Sequence, residues 1–320
     1  MFNTNKGCNM ANKQSRVGAG VYAYLLYDAT FKTVVCTPEN EKLVIEILEL
    51  LIPGKRIGHI DFINKERHGL VVSEKNVTFD LLCKEKDTDE EFLVEVQNRE
   101  MDSFRDRMLS YSTYPVREQL AVKLQKRRSG EMIDPMDYSL KPVYVISMVD
   151  FVLEHDSEEA LEEGYISRYE IRNGRNNELL TQSMHFVFLE MGRMGLGFNE
   201  WDKCRNTLEQ FIFSMKFIHQ LTERPERFDS PLLRDLFDAT ELASMTVTQR
   251  QNYDTIMTNE LDRICQISFA EKKGKAEGKA EGKAEERAEN VRALLRAGFD
   301  AGTIAKALGL TPEEIEKLVK

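Results

Sequence analysis

Two acidic residues set inside apolar strands are the part of this chain best suited to chemistry. Phe79-Asp80-Leu81-Leu82-Cys83 and Phe92-Leu93-Val94-Glu95-Val96-Gln97 both read as strands, and each carries one carboxylate in an otherwise apolar run. Alternation puts Leu93, Glu95 and Gln97 on one face of the second strand, and Thr78, Asp80 and Leu82 on one face of the first. A suitable register then brings Asp80 and Glu95 together with Gln97 beside them. Two carboxylates held close repel unless a cation lies between them. Oxygen ligands of this kind suit Mg²⁺ or Mn²⁺, and the backbone carbonyl of Val96 is a candidate third ligand. Such a cation activates water and stabilises the charge that develops when a phosphodiester is cleaved. From spacing alone a second account stays open, in which Asp80 and Glu95 are ordinary acids at exposed ends of edge strands.

The elements around the pair are those needed to hold it. Asp87-Thr88-Asp89-Glu90 separates the two strands and predicts a hairpin. Upstream, Thr37-Pro38-Glu39 marks a helix start, and Leu43, Val44, Ile47, Leu48 and Leu51 recur at helical spacing until Pro53-Gly54. Arg56 to Ile63 reads as a first strand. Downstream, Phe104, Met108 and Tyr111 predict a helix over 101–114, with Pro115 as its kink or end. Pro142 to Phe151 is a buried strand and Met184 to Leu189 another. The order is helix, three strands, helix, strand: an α/β unit with a mixed sheet.

The second half reads as mostly helical, with Leu208, Phe211, Ile212, Met215 and Ile218 on one face and further helices over 231–242 and 251–267. Residues 274–285 are three GKAE units. Their glycines disfavour a helix by about 1 kcal/mol each, and their like-charge rows at i, i+4 add to this. Composition therefore favours a soft linker over a helix held by a partner. Beyond it, Ile304 to Leu318 resembles a helix-turn-helix, but Glu313 and Glu314 at the start of its second helix repel phosphate, which favours a small helical or partner-binding module. The divisions expected are 1–18 as a disordered start, 19–200 as the core, 201–270 as a helical extension, 271–289 as the repeat and 290–320 as the tail.

The net charge is −10, so no global basic field draws a polyanion. Residues 1–150 hold 21 Lys/Arg against 23 Asp/Glu and carry only −2 of that charge. A nucleic acid would find its local basic patch there, and Lys123 to Arg128 has four basic residues in six. Five widely spaced cysteines with no CxxC exclude a zinc cluster of ordinary spacing and fit a reduced, cytoplasmic setting. The longest N-terminal apolar stretch, Val17 to Leu26, is too short to span a bilayer.

Asp80 followed fifteen residues later by Glu95-Val96-Gln97 resembles the motif of the PD-(D/E)XK nuclease superfamily. It is most similar to its recombination-promoting nuclease and transposase branch, in which Gln often replaces the usual Lys. Asp28-Ala29-Thr30-Phe31-Lys32 resembles that branch's D-x-x-F-K element, and Asn40 to Leu51 its first helix. Arg107 to Tyr111 with Gln119 resembles its R-x-x-x-Y…Q segment, and Lys141 to Ile146 its closing strand. The likeness covers about residues 20–155, and the tail loosely.

The resemblance implies a restriction-endonuclease-like α-β-β-β-α-β core with a mixed central sheet, followed here by a helical C-terminal region. It also implies a Mg²⁺-dependent (or Mn²⁺-dependent) DNA endonuclease, with Asp80 and Glu95 as ligands and Gln97 orienting the attacking water in place of the lysine. Phe79 stands where the motif has proline. The acid of the first helix would be Glu41 or Glu46. Lys32, Arg105, Arg107, Tyr111, Lys126, Arg127 and Arg128 are the candidate DNA contacts. The alternative is a catalytically idle nuclease fold that binds nucleic acid or protein. A third possibility is an oligomer built through the GKAE helix.

Overall fold

The protein is described here by a computed structural model covering residues 20–63, 79–132, 134, 136–157, 161–162 and 164–319. The expected disordered start, and Val77 and Thr78 of the expected second strand, lie outside the described residues. The chain divides into two compact units, Met1–Ile256 and Met257–Lys320.

The first unit is built on a six-stranded mixed sheet. Helix α1 (Asp28–Val34) and a 3₁₀ turn (Pro38–Asn40) lead into α2 (Glu41–Leu51). The α2 side chains Leu43, Val44, Ile47, Leu48 and Leu51 are buried, as their 3.6-residue spacing requires. Strands β1 (Ile60–Phe62), β2 (Leu81–Glu85) and β3 (Glu91–Gln97) follow as an antiparallel meander. Helix α3 (Phe104–Arg128) then crosses to β4 (Val143–Val149), which pairs parallel with β3. β6 (Met184–Glu190) adds parallel to β4, and β5 (Ile166–Glu170) closes that edge antiparallel to β6. The sheet order is β1-β2-β3-β4-β6-β5. The C-terminal ends of β3, β4 and β6 therefore share one end of the sheet with the start of β2.

Register fixes the faces. Glu95 is paired with Ser147 and Ser147 with Phe188; Gln97 is paired with Val149 and Val149 with Glu190. Paired residues share a face, and α3 covers this one. Phe104 and Met108 pack there with Leu93, Val145, Val149 and Phe188.

Pro115 neither ends nor breaks α3, contrary to the sequence expectation. Proline removes one helical hydrogen bond, but both halves of the helix are held on the sheet. Phe104 and Met108 pack before it, Tyr114 and Val116 beside it, and Pro115 itself is buried. Strand β5 was not anticipated: only Ile166 and Ser167 of its five residues are buried, too short a run to read as a strand.

Helices α4 (Thr207–Phe217) and α5 (Pro231–Thr240) complete the first unit, each capped by a side-chain oxygen, Asn206 and Ser230. The unit division falls within α6 (Val247–Arg296), which contains the GKAE repeat. The repeat is thus helical rather than a soft linker. Its alanine, lysine and glutamate are strong helix formers that offset the glycines, and Lys273 lies 3.7 Å from Glu277 one turn on.

The second unit closes with α7 (Ala301–Leu308) and α8 (Pro312–Val319). Val291, Ile304, Ala305 and Ile315 form its small core. Thr311 and Glu314 exchange hydrogen bonds as a capping box, and Gly309 makes the turn at φ +63°.

Candidate active site

The turn between β2 and β3 sets the register on which the site depends. Glu85 folds its carboxylate back onto the turn and accepts hydrogen bonds from Asp87 N–H (3.0 Å), Thr88 N–H (2.5 Å) and Thr88 Oγ1 (2.6 Å). The strands then pair Leu82 with Leu93 and Leu81 with Val94. One step further along the same register puts Asp80 opposite Glu95, and directly opposed residues share a face.

Asp80 seats its Oδ2 on the backbone of β3, accepting from Val96 N–H at 2.7 Å. Asp80 is 8% exposed and Glu95 3%. The N–H and C=O of a strand residue point to the same side, so the Val96 carbonyl is directed to the Asp80 side as well.

Helix α3 supplies the groups above the pair. Arg107 Nη2 donates to Glu95 Oε1 at 2.6 Å and Arg107 Nε to the Tyr111 hydroxyl at 2.7 Å. The edge of Phe79 packs on the Tyr111 ring at 5.0 Å. Burial pushes the Tyr111 hydroxyl above its ordinary pKa; the charge of Glu95 adds to this, Arg107 opposes it, and Asp80 adds a smaller contribution. Both carboxylates thus act on one hydroxyl and share one electrostatic neighbourhood. Gln97 is buried on the same face, and its Nε2 donates to Arg99 O at 3.2 Å.

The rest of α3 is tied down at both ends. Near its start Arg105 donates to Glu154 O and, at 3.4 Å, to the Tyr169 hydroxyl. That hydroxyl lies 3.2 Å from His155 Nδ1, and His155 Nε2 contacts the fully buried Glu190. Glu190 Oε2 also accepts from Leu153 N–H and Arg193 Nε, each at 2.8 Å. In the second half Gln119 brackets Lys141, accepting its N–H at 2.8 Å and donating to its carbonyl at 3.3 Å. Gln119 thus joins the helix to the chain just before β4.

The remaining candidates fall elsewhere. Lys126, Arg127 and Arg128 end α3, about 28 Å along its axis from Arg107. Lys123 is engaged by Asp137 (2.8 Å) and Ser139 (2.6 Å) as a staple for the following loop. Lys32 is exposed on α1, next to the buried Phe31. Glu41 accepts from Ile60 N–H at 2.9 Å and so joins α2 to β1, while Glu46 lies 3.6 Å from Lys42.

One residue escaped the sequence reading: Ser147, the register partner of Glu95, is fully buried with a hydroxyl that has no hydrogen-bond partner among the described residues. Its signal was a polar residue inside the apolar run Val143 to Val149.

Among the described residues no three Asp, Glu, His or Cys side chains gather into a metal-holding group. What the hairpin offers is two buried carboxylates and a backbone carbonyl. Those are oxygen donors that fit Mg²⁺ or Mn²⁺, cations that keep several of their waters.

The family model described as PD-(D/E)XK nuclease family transposase matches residues 25–270. The chain belongs to this family. The match places this PD-(D/E)XK family transposase in a nuclease- and transposase-associated role. It takes in the whole sheet and α3 and stops short of the GKAE units and the tail. No curated protein and no solved structure matches the chain. Among the described residues no helix is long and apolar enough to cross a membrane.

Proposed function

We propose that the protein is a Mg²⁺- or Mn²⁺-dependent DNA endonuclease, with Asp80 and Glu95 as its metal ligands and the Val96 carbonyl as a third. The observation that carries this reading is the seating of Asp80 on Val96 N–H, which places two buried carboxylates opposite one another at the end of the hairpin. Burying two like charges side by side is unfavourable, and nothing in the packing of the hairpin requires it.

A bound divalent cation would supply Lewis-acid stabilisation of the phosphate and lower the pKa of a water. The residues of the chain do the rest. Asp80 is held in one orientation by the β3 backbone. Gln97, buried two residues beyond Glu95, orients the attacking water through its amide and contributes no charge. Lys32, Arg105, Lys126, Arg127 and Arg128 serve as phosphate contacts along the duplex, positioning it without reading its sequence.

The test is nicking of supercoiled plasmid. Wild-type protein should nick in Mg²⁺ or Mn²⁺, and Asp80→Ala and Glu95→Ala should each abolish it. Intact plasmid with clean wild-type protein across both metals would sink the reading. The idle-fold alternative draws on Gln97, which brings no cation to the motif's lysine position. It predicts metal-independent DNA binding that both substitutions leave unchanged.

A further inference from the structure

The lysine of a PD-(D/E)XK site brings positive charge to the reacting phosphate, and Gln97 cannot. Its amide nitrogen is also engaged with Arg99 O at 3.2 Å. The positive charge found at the carboxylates comes instead from a different element, helix α3. Arg107 Nη2 is 2.6 Å from Glu95 Oε1, its Nε is 2.7 Å from the Tyr111 hydroxyl, and its Nη1 is 3.0 Å from Met101 Sδ. The Arg107 side chain is 28% exposed, whereas Glu95 beneath it is 3% exposed. The guanidinium therefore lies between the buried acid and solvent, on the side from which a substrate would come.

We infer that Arg107 is the cationic catalytic residue of this centre and that it works in two positions. Without metal it pairs with Glu95 and neutralises it. When a divalent cation takes over Glu95, the guanidinium is repelled from the now positive cluster and turns to a non-bridging oxygen of the scissile phosphate. This inference rests on the endonuclease reading of Asp80 and Glu95.

Three features favour it. Arginine is a planar fork that matches phosphate as well as carboxylate. The Tyr111 hydroxyl gives Nε a second hold, so the side chain stays over the site when Glu95 releases it. The anchors of α3, Arg105 on Glu154 and Gln119 on Lys141, fix the helix while one side chain moves. In the hydrolysis a water oxygen forms the new P–O bond and its proton passes to solvent. The P–O bond to the leaving sugar oxygen breaks, and that oxygen is protonated. Arg107 keeps all its protons and contributes charge alone.

The experiment measures Mn²⁺ binding by calorimetry and plasmid cleavage in single turnover for wild type, Arg107→Gln, Arg107→Lys, Asp80→Ala and Glu95→Ala. Removing the competing guanidinium should tighten Mn²⁺ binding by about tenfold in Arg107→Gln. The same variant should cut about a hundredfold more slowly, and Arg107→Lys, which keeps the charge, should recover part of that rate. A purely structural arginine would instead lower the melting temperature and leave Mn²⁺ affinity unchanged. Arg107→Gln that binds Mn²⁺ no tighter than wild type, or cuts within about threefold of its rate, overturns the inference. If Arg107→Gln does not fold, the Arg107→Lys rate decides: cleavage unchanged from wild type supports charge as the requirement, and cleavage abolished overturns it. Loss of Mn²⁺ binding in Glu95→Ala alongside an unaffected Arg107→Gln rejects Arg107 alone. Mn²⁺ binding indifferent to both Asp80 and Glu95 rejects the endonuclease reading, and this inference with it.

Discussion

At the scale of single residues, the site departs from what packing alone would choose. Three acids at or beside the hairpin are buried, and each is handled differently. Asp80 takes a backbone N–H, Glu95 takes Arg107, and Glu91 has weaker help. Burial pushes Glu91 up to about 7; Gln119 and Lys84 pull it down, and Glu118 and Asp89 push it further up. In the unfolded chain the same acid titrates near its ordinary 4.5. Below that value both states are protonated and the group contributes no penalty. Between 4.5 and about 7 the folded chain holds a proton that the unfolded chain has lost, so stability falls as pH rises, and above about 7 the penalty is complete. Glu91→Gln should therefore change stability little near pH 4 and raise it by up to about 3 kcal/mol at pH 8. Urea unfolding at the two pH values checks this; equal gains at both would be inconsistent with titration of Glu91.

At the scale of elements, the arrangement is one hairpin and one helix laid against each other. The hairpin was legible from sequence because its signals are local: apolar strands, an acidic turn between them and a carboxylate at a fixed offset. Helix α3 was legible only in its first half. Proline at 115 ordinarily weakens a helix, and the packing that overrides it comes from β4 and β6, which a reading of neighbouring residues does not include. For the same reason Arg107 could be assigned to a DNA-facing role but not to Glu95, since α3 and β3 meet only in three dimensions. Gln119 was noted by position, and its bond to the Lys141 backbone depended on a loop whose course the sequence does not reveal. Met108 is fully buried where α3 crosses the sheet, next to Arg107. Met108→Ala should lower stability by about 2–5 kcal/mol and loosen the Arg107–Glu95 pair. Denaturant midpoints measure the first effect. A loss below about 1 kcal/mol would mean that the helix is held mainly by its polar anchors.

At the scale of the whole molecule, the family match and the carboxylates both lie in the first unit, and the second adds a separate three-helix core of its own. Its capping box, glycine turn and apolar spacing were readable in full, because each is short-range. Its purpose was not, since the acids that open α8 argue against phosphate and no chemistry gathers there. Deleting residues 257–320 should leave the sheet intact and metal-dependent nicking detectable. Light scattering before and after deletion decides whether this unit assembles the chain: an unchanged mass per particle removes it as an oligomerisation element.

The GKAE repeat has one more consequence, which concerns how its length can vary. Four residues make slightly more than one helical turn, so adding or losing one unit advances whatever follows by about 6 Å and turns it by about 40°. The helix itself is not interrupted, because every unit has the same content. Tandem copies of a short coding unit are also the kind of DNA in which replication slips. The molecule therefore has a spacer whose length can drift in whole units, one copying error at a time, without any change to the fold on which Asp80 and Glu95 depend.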